Sequence, residues 1–525
     1  MAVSKNLRKG LGTLTSVPLV IASVIALNLI GVFVFARFDL TDAKLYSLSE
    51  ASRRLAESLD DPIVVKLYFS DDLPAPYNAN ARYLKDQLAE YRVYSGGNLR
   101  YEFIDPMKTD REREAQALGI PPMQVNAYEK DKIELKKVYM GVAFLYEDKR
   151  EVIPVVQSTR NLEYEISSAI QKVTAKTLPT IGFLTGHGET DLASQMQMVS
   201  QALSQLYDVE PVTIPAGEAI DPKVATLIIC GPTDSVGAWD RYAIDQFIMR
   251  GGKLAAFYDP VAADLQQQTA VDRQTNWPEF LAHYGIRFQP GLVIDARCGQ
   301  IAIMQQQGFI RYQNVVDFPY LPQVVHFNPD NLIGKDLEGV TFPFVSALDS
   351  TLADSMGFSF VPICWSSDHS GVRRSPYYVS PMQKFDKPDF DRAGMILAAA
   401  ITGSFATAFP QGPPPDAGAD PTKIPAPLRA ATDGRMVVVG DADFCNDQGS
   451  RSASNLAFLL NIVDWLTKEG GLISIRSREV TSRPLAEVSE GTRSLVKYAN
   501  VFGPPLLVVL VGVWRWQSRR RAKRG

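Results

Sequence analysis

Two long apolar runs without a charge lie at opposite ends of the chain. The first, at residues 17–35, contains 19 residues, and as a helix it spans roughly 28 Å, close to the thickness of a bilayer core. The second, at 498–514, is shorter, and its tyrosine and tryptophan residues suit the two membrane interfaces. We therefore predict one transmembrane helix within residues 1–37 and another within residues 498–525.

Basic residues flank both runs on their outer sides. Three precede the first run and six lie within residues 515–525, with no acidic residue in either flank. Because positively charged flanks stay on the cytoplasmic side, we predict that both termini are cytoplasmic. The main body then lies on the opposite side of the membrane, joined to the second helix by a membrane-proximal linker at 476–497.

The first part of this body, residues 38–177, alternates short apolar strands with amphipathic helices. The pattern predicts strands at 62–69, 99–103, 138–146 and 151–156, and helices at 81–94, 109–118 and 162–175. The resulting order βαβαββα is typical of a thioredoxin-like domain. Ser70-Asp-Asp-Leu-Pro74 follows the first strand, where a redox centre needs Cys-x-x-Cys, so we predict a scaffold or binding surface.

The second part, residues 178–475, predicts an α/β fold with a doubly wound parallel sheet. Its apolar strands are separated by amphipathic helices and lie at 180–185, 225–230, 253–258 and 435–439. Turns and aromatic residues at 290–385 predict an irregular or β-rich insertion, and the Pro/Gly/Ala-rich stretch 409–433 predicts a mobile loop.

Charge and cysteine content exclude several classes of protein. Without the nine flanking basic residues, 45 basic residues remain against 58 acidic ones, a net charge of about −13 for the body. Such a body does not suit nucleic-acid binding, which needs a basic face. The four cysteines contain no Cys-x-x-Cys pair. In an oxidising compartment they could form one or two disulfides, whose pairing the sequence leaves open.

Polar residues follow the predicted strands of the second part, at His187, Glu189, Asp259, Asp441 and Asp443. The carboxyl ends of parallel strands meet at one edge, where ligands of open α/β sheets bind. A histidine with several carboxylates could hold a divalent metal or act as a base. Glycine turns and helix capping explain the same residues structurally. We predict a ligand-binding site without catalytic residues, metal or cofactor, because the phosphate loop, the dinucleotide fingerprint and the nucleophile elbow are all missing.

Several segments occur together in a distinctive order between the two apolar ends. They are FDLTDAKLYSLSEASRRLAESLDDPIVVKLYFS, LPTIGFLTGHGETDL, IDQFIMRGGKLAAFYDP, VVVGDADFCND and the C-terminal WRWQSRRRAKRG. This arrangement resembles the GldG family, the auxiliary membrane subunits of an ABC-type transport system named from gliding motility. The resemblance implies a large domain similar to the GIFT domain of intraflagellar transport proteins, which is non-enzymatic. It also implies an ABC permease and a separate ATPase subunit as partners. It further implies a bacterial inner (cytoplasmic) membrane protein with a periplasmic or extracytoplasmic body.

We therefore predict an accessory subunit of an ABC transporter with a binding or docking body, whose ligand is an envelope protein or glycan. Two alternatives stay open. One is a metal-assisted or amidotransferase-like hydrolase of the envelope, and the other is a purely structural envelope scaffold.

Overall fold

The computed structural model describes residues 47–129, 132–159, 162–307, 310–335, 337–418 and 425–467, together with 497–498, 500–503, 505 and 511–516. The chain divides into two units, Met1–Val480 and Thr481–Gly525, and both main sheets lie in the first. The predicted membrane segment at 17–35 lies outside the described residues, and that at 498–514 lies partly outside them. Among the residues that are described, none forms a helix long and apolar enough to cross a membrane.

The first region is a four-stranded sheet with helices packed on it. The sheet order is β2-β1-β5-β6, in which β1 and β2 are parallel while β5 and β6 run antiparallel to their neighbours. The elements are α1 (Glu50–Glu57), β1 (Ile63–Phe69), α2 (Tyr77–Tyr94), β2 (Leu99–Ile104), α3 (Glu112–Ala117), β5 (Met140–Tyr146), β6 (Lys149–Ile153) and α4 (Leu162–Thr174). Ile63, Val65 and Leu67 alternate along β1 and are fully buried, because every second side chain of a strand points to the same face.

A hairpin that the sequence pattern did not predict lies between α3 and β5. Its strands, β3 (Met123–Glu129) and β4 (Lys132–Val138), pair antiparallel with each other and form a separate two-stranded sheet. Pro121 and Pro122 immediately precede this hairpin.

The second region is built on an eight-stranded sheet of order β17-β20-β22-β23-β10-β9-β7-β8. The last five strands of this order, β23, β10, β9, β7 and β8, are parallel to one another. β7 lies between β8 and β9, so the spatial order of the strands differs from their chain order at this position. These parallel strands are β7 (Thr180–Leu184), β8 (Asp208–Val212), β9 (Val224–Cys230), β10 (Lys253–Phe257) and β23 (Ala430–Val439).

Helices cover both faces of this sheet. Along β9, Ile228 and Cys230 belong to one apolar core and Leu227 and Ile229 to the other, so the strand is buried on both sides, as parallel sheets require. The first core is closed by α5 (Gln197–Leu203) and α9 (Ala453–Thr467), and the second by α6 (Ala238–Met249) and α7 (Trp277–Ala282).

The sheet is mixed rather than wholly parallel, which corrects the sequence-based prediction in three places. The antiparallel strand β22 (Ile396–Ala406) was not predicted, and β23 begins at Ala430, inside the stretch predicted to be a mobile loop. The predicted insertion at 290–385 also contributes β17 (His326–Phe327) and β20 (Ser359–Trp365) to the large sheet.

The remaining elements between β10 and β22 form small antiparallel sheets and one short helix. They are β11 (Val261–Asp264), β12 (Thr269–Asp272), β13 (Arg287–Phe288), β14 (Leu292–Asp295), β15 (Cys298–Gln307), β16 (Ile310–Val324), β18 (Val340–Thr341), β19 (Leu348–Asp349), α8 (Thr351–Met356) and β21 (Ser370–Arg373).

The two regions touch through an apolar seam. Ala51 of α1 and Tyr164 of α4 belong to the same buried cluster as Leu203, Leu206 and Tyr207 of the second region. Through this seam α4 contacts both regions.

Candidate functional site

The predicted polar residues lie where four neighbouring strands end. β7, β9, β10 and β23 are adjacent and parallel in the sheet, so their carboxyl ends share one edge. His187 and Glu189 follow β7, Asp259 follows β10, and Asp441 and Asp443 follow β23. The order of strands reverses between β7 and β9, which is the position where open α/β sheets form a ligand crevice.

His187 is held by two carboxylates at once. Its Nδ1 lies 2.9 Å from Oε1 of Glu189, and its Nε2 lies 2.8 Å from Oδ2 of Asp240 in the first turn of α6. The imidazole is 6% exposed, and its ring meets Trp277 edge-on at 5.7 Å. Both ring nitrogens are therefore occupied, and the histidine links the end of β7 to the start of α6.

The two carboxylates decide the charge of this histidine. Burial alone lowers the pKa of His187, but the hydrogen bonds and charges of Glu189 and Asp240 outweigh it, so the pKa is raised above its usual value. The protonated ring donates from both nitrogens, which the neutral ring cannot do. The group acts as an ion-paired clamp rather than as a free base.

The backbone around His187 is fixed as well. Its N–H donates to Oε2 of Glu189 at 2.7 Å, and its carbonyl accepts from the N–H groups of Thr233 and Asp234 at 3.0 and 2.9 Å. Gly188 has a φ of +72°, and a Cβ there would lie 1.9 Å from Oγ1 of Thr233. Only glycine fits this close contact between the loops that follow β7 and β9.

The three aspartates organise the turn that follows β23. Oδ1 of Asp441 accepts the N–H of Asp443 at 2.9 Å, and its Oδ2 accepts the N–H of Phe444 at 3.2 Å. Oδ1 of Asp259 accepts the N–H of Ala442 at 2.8 Å. Oδ1 of Asp443 accepts from the side chain of Asn446 at 3.2 Å. The carboxyl groups thus satisfy backbone donors that would otherwise be buried without a partner.

The surroundings of these aspartates raise their pKa values, although only Asp441 is fully buried. Burial, together with the charge of Asp443, raises the pKa of Asp259 to about 7. Burial and the charges of its two neighbours raise the pKa of Asp441 well above its usual value, and burial raises that of Asp443. The guanidinium of Arg273 opposes the shift at Asp259 and Asp443. At neutral pH the cluster therefore carries fewer than three negative charges.

Neither His187 with its two carboxylate partners nor the set of three aspartates is arranged as a metal site or a nucleophile site. Among the residues that the structure describes, no set of three or more His, Cys, Asp and Glu side chains could hold a metal ion. Cys230 and Cys445 place their Sγ atoms 3.0 Å apart beneath the turn. Burial and the neighbouring Cys230 raise the pKa of the Cys445 thiol well above its usual value, so it is not activated as a thiolate.

The hydrogen bonds therefore divide the polar residues at this edge into two groups. Gly231 lies between them, since a Cβ there would lie 3.1 Å from Oγ1 of Thr190 and 3.8 Å from Oδ2 of Asp259. Sequence reasoning placed all five predicted residues at this edge but missed two partners, Asp240 and Arg273. Asp240 was detectable as an acid in the first turn of a helix that starts beside a strand end, whereas Arg273 gave no local signal.

Comparison with known proteins gives two family matches. Residues 178–462 match a family described as an ABC-type uncharacterized transport system. Residues 42–145 match a domain of unknown function, DUF7088.

Similar individual proteins are distant. An uncharacterized protein of Borreliella burgdorferi is 23% identical over 505 residues, which cover 93% of this chain and 94% of the relative. A solved structure of the mmIFT52 N-terminal domain is 13% identical, with a TM-score of 0.33, over 55% of this chain and 97% of that structure. A likeness of that TM-score supports no statement about fold.

Proposed function

The chain belongs to the family described as an ABC-type uncharacterized transport system, and from this membership we propose that it is a GldG-type auxiliary membrane subunit. At the level of the family it is an accessory subunit of an ABC transport system. The single observation that carries the proposal is the match over 178–462, because these residues contain the whole large sheet and its polar edge.

We propose that a multi-span permease and a separate P-loop ATPase are the partners. In this proposal the two apolar end segments are membrane helices, both termini are cytoplasmic, and the body docks an envelope protein or glycan outside the cytoplasm. The charge distribution supports it, since the basic flanks lie outside the apolar runs and the body is acidic.

The fold proposals rest on strand order. The order β2-β1-β5-β6, with one parallel pair and two antiparallel pairs, supports a thioredoxin-like first region. The parallel set β8-β7-β9-β10-β23 supports a flavodoxin-like or GIFT-like second region with an antiparallel extension.

The polar edge supports docking rather than catalysis. The ring nitrogens of His187 are paired with carboxylates, and the carboxyl oxygens of Asp259 and Asp441 accept backbone hydrogen bonds. Within the proposed ligand site, His187, Glu189, Asp259, Asp441 and Asp443 would shape the loops that contact the ligand. The same internal pairing favours the structural scaffold as the second candidate function, because a rigid, satisfied edge suits a fixed docking surface.

Purification of the tagged full chain from native membranes in mild detergent, followed by mass spectrometry, tests the proposal. We expect a multi-span permease and a P-loop ATPase in near-stoichiometric amounts. An unrelated tagged protein with the same two apolar segments serves as the control for non-specific membrane recovery. Recovery of the chain alone, or with envelope proteins only, would contradict the accessory-subunit role and favour the scaffold.

A further inference from the structure

A cavity of about 250 Å³ lies beside the seam between the two regions. One wall is β6 with the residues that follow it, a second is α4, and Gln205 of the second region closes it. The lining residues are Glu151, Val152, Ile153, Pro154, Val155, Glu165, Ser168, Ala169 and Gln205. At ~30 Å³ per water the space holds roughly eight waters, which is room for a ligand of six to eight non-hydrogen atoms. Contacts between domains are a common location for ligand pockets.

Ser168 of α4 provides the first sign of a missing ligand. Its side chain is 4% exposed, and its hydroxyl has no hydrogen-bond partner among the residues that the structure describes. Buried hydroxyl groups nearly always have a partner, because leaving one unsatisfied is unfavourable. The neighbouring Ser167 shows the ordinary situation, since its hydroxyl contacts Ser52 and Tyr91.

Glu165 provides the second sign, one helical turn earlier on the same face of α4. No described residue donates a hydrogen bond to its carboxylate or pairs with it. Burial alone raises its pKa to about 7, without a contribution from any neighbouring charge. The other carboxylates near this helix are paired, because Glu163 accepts from Ser49 and Ser52, and Glu151 lies 3.0 Å from the ammonium of Lys172.

The wall opposite α4 is mainly aliphatic, formed by Val152, Ile153 and Val155, and Ala169 leaves space next to Ser168. Glu151 also lies in this wall, but its carboxylate pairs with the ammonium of Lys172. The cavity therefore presents one carboxylate that is unpaired among the described residues, a hydroxyl and an amide, together with aliphatic surface. This combination suits a ligand with one charged end and a short apolar stem.

We propose that this cavity binds a primary alkylammonium group, either a lysine side chain of a partner or a free amine. An ammonium has three N–H donors and no acceptor. Glu165, Ser168 and the side-chain carbonyl of Gln205 supply three acceptors, and the alkyl stem lies along Val152–Val155. The counter-charge stabilises the ionised form of Glu165, which nothing in the empty cavity does. The proposal does not depend on the transport role of the chain.

Calorimetric titration of the full chain in detergent at pH 8 tests this proposal, with n-pentylamine as the probe and 1-pentanol as its neutral counterpart. We expect one molecule of n-pentylammonium per chain, bound at least tenfold more tightly than 1-pentanol. Equal affinity for the two probes, or no binding of the amine, would overturn the proposal.

Three variants locate the site. Glu165→Gln should weaken n-pentylammonium binding at least tenfold, and Ser168→Ala should weaken it severalfold. Glu210→Gln removes the same charge from a carboxylate that pairs with Lys223 away from the cavity, so its affinity should stay within twofold of wild type. Unchanged affinity in Glu165→Gln, or an equal loss in Glu210→Gln, would contradict the assignment. Both cavity variants remove groups without partners, so thermal unfolding should show that they still fold.

A second probe distinguishes the two sources of the ammonium group. Nα-acetyl-lysine N-methylamide carries the same stem and charge with a peptide bond on each side. Tighter binding of this probe than of n-pentylamine would indicate a lysine of a partner chain, and weaker binding would indicate a free amine.

Discussion

Two regions of this molecule bury carboxyl groups, and they use them in opposite ways. At the edge of the large sheet, the pKa of Asp259 is raised to about 7, and at the seam the pKa of Glu165 is raised to about 7 as well. Asp259 accepts a backbone N–H, as Asp441 does twice, whereas Glu165 has no donor among the described residues. A raised pKa alone therefore does not identify a ligand site, and hydrogen-bond satisfaction separates the two cases.

The largest effect should come from removing a satisfied carboxyl group. Asp441→Ala leaves the N–H groups of Asp443 and Phe444 buried without an acceptor, and we expect a loss of about 3 kcal/mol in the free energy of unfolding. Equilibrium denaturation of the full chain in detergent measures it. Asp441→Asn keeps one acceptor and should lose only about 1 kcal/mol. Equal stability of the alanine variant and wild type would show that these contacts do not hold the turn.

The clamp at His187 should give a smaller, pH-dependent effect. Its folded pKa is raised, so its contribution is complete below the unfolded value of about 6.5 and is lost as pH rises through the folded pKa. His187→Gln leaves Glu189 and Asp240 without a cationic partner and should lose about 2 kcal/mol at pH 6. The difference from wild type should shrink by pH 9. Thermal unfolding across this pH range measures it, and a difference that grows with pH would contradict the clamp.

Glu165, the carboxyl group at the seam without a partner among the described residues, should have the opposite effect, because its replacement should stabilise the protein. The folded pKa of Glu165 is about 7 and its ordinary value is 4.5, so its ionisation destabilises the fold progressively as pH rises between these values. Glu165→Gln should therefore stabilise the empty protein by about 2 kcal/mol at pH 8 and leave it unchanged at pH 4.5. Thermal unfolding of the variant and of wild type at pH 8 and pH 4.5 measures this difference in stability. A loss of stability at pH 8 would mean that the carboxylate has a structural partner.

The smallest expected effect is a change in mass when the thiols of Cys230 and Cys445, beneath the sheet edge, form a disulfide. Sγ of Cys230 lies 3.0 Å from Sγ of Cys445, so a small shift reaches disulfide distance. If the body is exported, as proposed, a disulfide oxidant of the envelope should take two electrons and two protons from this pair. Intact mass spectrometry should then show a chain lighter by two hydrogen atoms, with two alkylatable thiols after denaturation. Four alkylatable thiols would argue against an oxidising location, and Cys445→Ser serves as the control.

The sequence predicted the alternation of strands and helices better than the pairing of strands that are distant along the chain. Four of the five parallel strands were found because Val, Ile, Leu and Ala runs end in glycine or aspartate, and this pattern is local. The edge strand β8, DVEPV, has no such run and was missed. The strand β22 and the hairpin β3–β4 were missed. The strand β22 is rich in alanine and pairs with β20 and β23, which are distant in sequence, so local propensity does not report it. The hairpin strands pair with each other, and the many charged residues of β4 hide its strand pattern.

Because sequence patterns report only local structure, they predicted some site residues and not others. His187, Glu189, Asp259, Asp441 and Asp443 were predicted because strand ends are recognisable. Their division into two groups was not, because it depends on the positions of Asp240, Gly231 and Arg273 after folding. The cavity at Glu165 gave no signal, since a glutamate on a helix is ordinarily a solvent-exposed residue. Its isolation becomes visible only when β6 and Gln205 are placed against α4.

Carbodiimide labelling of the full chain at pH 6.5, quantified for each carboxyl group by mass spectrometry, tests the contrast between the two regions most directly. Carbodiimides react with protonated carboxyl groups that they can reach, and Glu165, whose pKa is raised to about 7, is protonated to a large extent at that pH. We predict that Glu165 is labelled and that Asp441 stays unlabelled, because Asp441 is fully buried and both of its carboxyl oxygens accept backbone hydrogen bonds. Labelling of Asp441 as fast as Glu165, or no labelling of Glu165, would contradict the account.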